Sequence, residues 1–62
     1  MKNMTARTLI LKLMQEKEFS VPTRRQILRH MVNSKEDITQ RVIKILQSKV
    51  GEKETLKRVL IL

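Results

Sequence analysis

Apolar residues recur at helical spacing in three successive stretches of this chain. From about Thr5 to Lys17, the residues Ala6, Leu9, Ile10, Leu13 and Met14 repeat at i, i+3, i+4, i+7 and i+8. That is one apolar stripe on a helix of 3.6-residue period. Arg7, Lys12 and Gln15 fall away from its centre, and Leu11 lies off the stripe, placed to touch a partner. The segment Phe19-Ser20-Val21-Pro22 then breaks the pattern. Proline pushes Val21 towards an extended conformation and suits the first turn of a following helix. Ser20 and Thr23 are its candidate caps. A second helix is predicted from about Pro22 to Val32, with Ile27, Leu28, Met31 and Val32 inside and Arg25, Gln26, Arg29 and His30 outside.

Asn33-Ser34 is the next punctuation. Ser34 followed by Asp37 is close to a capping box, and Glu36 and Asp37 suit the positive end of a helix dipole. The third helix is predicted from about Lys35 to Lys49, on a stripe of Ile38, Val42, Ile45 and Leu46 widened by Ile43 and Val50. Gly51, the only glycine, is placed as the C-terminal cap of that helix. Beyond it, Leu56, Val59 and Leu60 are spaced for a helix, while Arg58 to Leu62 read equally as a short buried strand. The expected fold is an all-α single small domain over residues 1–62. It is a bundle of three helices with a helix-turn-helix-like pair and a C-terminal helix or strand. The apolar run at Leu60-Ile61-Leu62 implies packing against a partner copy, or a chain that is a piece of something longer.

Charge changes this picture from a plain bundle to one with a preferred partner class. The formal charge is +8 on 62 residues. The six carboxylates are Glu16, Glu18, Glu36, Asp37, Glu52 and Glu54, so none lies from Phe19 to Lys35 or from Ile38 to Gly51. Arg24, Arg25, Arg29 and Lys35 occupy the first gap, and Arg41, Lys44 and Lys49 the second. Concentrated positive charge favours polyanions, chiefly nucleic acid. On the third helix Gln40, Arg41, Lys44, Gln47 and Ser48 form one arc opposite the core stripe. These residue types hydrogen-bond base edges and phosphates. A helix bearing such an arc, preceded by another helix after a short turn, has the shape of a helix-turn-helix. The third helix is then the major-groove reader, and Arg24, Arg25 and Arg29 neutralise phosphates. Three features depart from that motif: the missing small residue in the middle of its first helix, the missing turn glycine, and the brevity of the turn.

A second arrangement takes Phe19-Ser20-Val21 as a short strand before two helices, which resembles the layout of ribbon-helix-helix repressors. That resemblance implies dimerisation through paired strands and DNA reading by strand side chains. The first helix has no counterpart in it.

Other chemistries find little support. His30 is the only histidine and there is no cysteine, so no metal site is expected. Ser20, Ser34 and Ser48 have no His-plus-acid constellation, and a single glycine makes no phosphate loop. No enzyme activity and no cofactor are expected. Phe19 is the only aromatic, which disfavours single-strand binding by base stacking and favours duplex DNA. The chain reads as a small transcriptional or replication regulator. Without cysteine, export signal or membrane span, it is expected to be cytoplasmic. A homodimer is expected, because one copy has little core and Leu11, Ile43 and the Leu60-Ile61-Leu62 end look like surplus apolar surface. The alternative is a protein-interaction module that docks its basic face on an acidic protein partner, or its apolar C-terminus on an assembly partner.

Overall fold

A computed structural model of the chain describes residues 5–62. It contains four helices, α1 (Ala6–Glu16), α2 (Val21–His30), α3 (Glu36–Gln47) and α4 (Glu52–Leu60). The element after Gly51 is therefore a helix, and among the described residues there is no strand. Val21 begins α2, which removes the strand required by the ribbon-helix-helix layout.

The first helix ends are built from local chemistry. The Thr5 hydroxyl accepts from the Thr8 N–H at 3.1 Å, the expected N-cap bond. At the other end, the Glu18 N–H reaches the Gln15 carbonyl and the Phe19 N–H reaches the Met14 carbonyl. Glu18 has φ of 56°, in the left-handed region. This is a Schellman motif with glutamate where glycine is usual. It turns the chain so that Phe19 packs back into the core beside Met14.

Two caps depart from the sequence expectation. α3 starts at Glu36, so Lys35 and not Ser34 is its N-cap, with no side-chain cap bond. The Ser34 hydroxyl turns back to donate to the His30 carbonyl at 3.3 Å, serving the end of α2 instead. Gly51 does not end α3. Ser48 is the C-cap there, and Gly51 is the N-cap of α4 with φ of −72°. The extended conformation of Gly51 needs no glycine, and a Cβ at that position would meet nothing within 4 Å.

One core joins all four helices. Ile10, Met14, Phe19, Ile27, Val42, Ile43, Leu46 and Val59 form a single buried cluster. Ile43, expected as surplus surface, is only 7% exposed. Val32, expected inside, is 63% exposed, because α2 stops at His30 and the chain turns before reaching it. Thr55 is fully buried in the same region.

The principal packing pairs are α1 with α3 and α2 with α4, and α3 also packs on α4. The sequence-adjacent α2 and α3, expected as a compact helix-turn-helix unit, are not a principal pair. Both principal pairs run in the same sense. Thr5, Ala6 and Arg7 at the start of α1 share a groove with Ser34, Glu36 and Thr39 at the start of α3. At the other end, the Lys17 ammonium donates to the Ser48 carbonyl at 3.1 Å. For α2 and α4, Ser20 and Thr23 meet Glu52 at the starts, while Gln26, Arg29 and His30 share a groove with Leu60 at the ends. The fold is thus two parallel helix pairs interleaved along the sequence.

Candidate nucleic-acid interface

The outward face of α3 follows from its core stripe. Val42, Ile43 and Leu46 are buried, which leaves Gln40, Arg41, Lys44 and Gln47 exposed on the opposite side. Gln40, Lys44 and Gln47 form one wall of a groove of about 540 Å3; Thr5, Ala6 and Leu9 of α1 form the other, and Ile43 is part of the lining. Arg41 stands outside this groove, and Lys49 is exposed just past the helix. The α1 wall could not be read from the sequence, because the α1–α3 pairing is a tertiary fact that periodicity does not carry.

Two details of this face differ from the expectation. Ser48 is half-buried and its hydroxyl donates to the Ile45 carbonyl. It finishes the end of α3 and is not presented outward like Gln47. The face also has acids at one end. Glu36 and Asp37 are exposed in the first turn, and Asp37 lies three and four positions before Gln40 and Arg41. Those spacings put it on the same side of the helix. The basic arc is therefore confined to the C-terminal two-thirds of α3.

The α2 residues fall elsewhere. Arg25 and Arg29 are exposed, as expected. Arg24 is half-buried, and its Nε is closed off from solvent without a hydrogen-bond partner. Its place on the flank of the buried stripe, next to Thr23, takes it out of the fully solvated set. His30, expected on the outer arc, is half-buried and lines the α2–α4 groove with Gln26, Arg29 and Leu60. That groove shares no lining residue with the α1–α3 groove. The α2 and α3 candidates thus border two different concavities.

The cations of both faces are electrostatically uncommitted. Among the described residues the one ion pair is Glu54 with Arg58, on α4 at 3.0 Å. Glu52 is instead held by hydroxyls. It accepts from the Ser20 hydroxyl at 2.7 Å, from the Thr23 hydroxyl, and from the Ser20 N–H at 3.3 Å. These donors, Thr23 foremost and Ser20 next, hold its carboxyl below the ordinary value of 4.5. No local pattern signals this contact, which joins residues 32 positions apart.

Among the described residues no group of three or more His, Asp or Glu is placed to hold a metal ion. Among the described residues no helix is long and apolar enough to cross a membrane. No family model, curated protein or solved structure matches the chain.

Proposed function

We propose that this protein binds duplex DNA without catalysing a reaction, as a small regulator of transcription or replication. The observation that carries the reading is the α3 face, where Gln40, Arg41, Lys44 and Gln47 are all exposed and neither cation is engaged in an ion pair among the described residues. In the mechanism, the C-terminal two-thirds of α3 lies in the major groove. Gln40 and Gln47 meet base edges, and Arg41, Lys44 and Lys49 meet base edges or phosphates. Arg25 and Arg29 neutralise further phosphates. Arg24, with its Nε enclosed, makes at most a contact through its terminal nitrogens.

The test is a titration of a fluorescent random-sequence duplex across salt, with an acidic carrier protein as competitor. Arg41, Lys44 and Lys49 alone give a slope of log affinity against log salt near −2.7, and adding Arg25 and Arg29 brings it to about −4.5. The steeper slope is expected for the native chain, and Arg25→Glu with Arg29→Glu should return it towards the shallower one. Gln40→Ala and Gln47→Ala should erase sequence preference at little cost to non-specific affinity. Absence of duplex binding at about 50 mM salt sinks the reading.

A further inference from the structure

The ends of α2 and α4 lie side by side, with Leu60 and Arg29 lining one groove and Ile61 exposed just past it in the chain. Leu60 is 43% exposed and Ile61 78%, and Val32 just beyond α2 is 63% exposed. Beside Leu60 runs a groove of about 410 Å3 whose other lining residues are Gln26, Arg29 and His30. No carboxylate lines it, and Arg29 has no ion-pair partner among the described residues. The α3 face makes no use of this concavity, and Arg29 is the one residue it shares with the proposed phosphate contacts, so a bound peptide and a bound duplex compete for it.

We infer that the α2–α4 groove docks an acidic peptide segment of a partner protein, anchored by an aliphatic side chain on Leu60 and Ile61, with carboxylates on Arg29. Charge complementarity selects this occupant. A second copy would bring another +8 against a chain of the same charge, so self-pairing here is opposed. Duplex phosphates would satisfy Arg29 but offer Leu60 and Ile61 nothing apolar to bury against, and burial of such area is the main gain at a contact. A bilayer surface favours a broad apolar helix face with aromatic anchors. Here Leu60 lines a concavity, and Phe19, the one aromatic, is buried. Arginine is among the residue types enriched where binding energy concentrates at protein interfaces, and Arg29 stands at the edge of this apolar contact.

The experiment is fluorescence anisotropy of a short labelled peptide of leucines set among glutamates, titrated with the full chain. Two control peptides replace the leucines by serine or the glutamates by glutamine. Saturable binding of the leucine–glutamate peptide alone is expected. Leu60→Ser and Ile61→Ser should each weaken it about tenfold, or about 1.4 kcal/mol. Both variants should keep native helix content and duplex affinity, since the two side chains are exposed and stand apart from α3. This separates failure of the docking site from failure of the DNA reading. The inference is overturned if the leucine–glutamate peptide does not bind, if the serine control binds equally, or if both variants bind as the native chain does. It is equally overturned if anionic vesicles displace the peptide, or if sedimentation shows a dimer that Ile61→Ser abolishes.

Discussion

Thr55 carries an anomaly in the core: its hydroxyl is fully buried and has no hydrogen-bond partner among the described residues. Burying an unpaired hydroxyl costs about 1–3 kcal/mol, and valine has nearly the same shape. Thr55→Val should therefore stabilise the fold by about 1 kcal/mol in urea unfolding, and a loss of stability would mean that the hydroxyl has a partner after all. Glu18 is the second residue under strain. Its φ of 56° costs a side-chain-bearing residue about 1 kcal/mol that glycine does not incur. Glu18→Gly should recover most of that in the same assay, and a destabilised variant would show that the Glu18 side chain makes a favourable contact. Phe19 just after it was legible as core from the sequence, because a lone aromatic between two apolar stripes has little else to do. The left-handed turn that delivers it was not, since glutamate gives no signal for that conformation.

At the level of the helices, α4 depends on chemistry supplied from α2. Gly51 offers no cap, so the first turn of α4 is tied down by Glu52 reaching Ser20 and Thr23. The carboxyl of Glu52 is held below 4.5 in the folded chain. A group with a lowered folded value contributes stability that is complete above the unfolded value and is lost as pH falls through the folded one. Native stability should therefore decline on acidification below 4.5. Glu52→Gln should start lower at neutral pH and decline less across the same window, as read by thermal melts; parallel curves would assign the acid limb to other carboxylates. On α3 two effects oppose each other. Glu36 and Asp37 stabilise the first turn by about 0.3–1 kcal/mol each through the helix dipole, yet they stand at the end of the proposed DNA face. The double variant Glu36→Gln, Asp37→Asn should melt earlier and bind duplex more tightly at low salt. Unchanged affinity would place the DNA away from that turn. The stripes of α1 and α3 were legible because each has a run of apolar residues at one period. α4 was ambiguous because its single buried apolar residue, Val59, shares its stripe with Thr55 and with Glu52, which bonds to α2. Gly51 and Ser34 serve other helix ends than their spacing suggests for a related reason: each sits between two helices, and sequence alone does not say which one it serves.

For the molecule as a whole, charge pulls binding and stability in opposite directions. A net charge of +8 with one ion pair among the described residues repels itself, and added salt screens that repulsion. Raising salt should therefore raise the melting temperature of the free protein while weakening its hold on DNA. A melting temperature that falls with salt would show that attractive pairs outweigh the repulsion. The apolar pattern along the chain gave the all-helical class, but the partnering of the helices was beyond it, since each stripe fits any apolar neighbour. That partnering bears on how the chain comes to be folded. Because α1 is matched to α3 and α2 to α4, cutting the chain at its midpoint leaves neither half with a principal helix pair. During synthesis α1 and α2 emerge without their main partners. α4 must be made before its Glu52 can hold the start of α2. Folding of these four helices is therefore expected to be all-or-none, with neither half a stable fragment for a protease or a chaperone to meet.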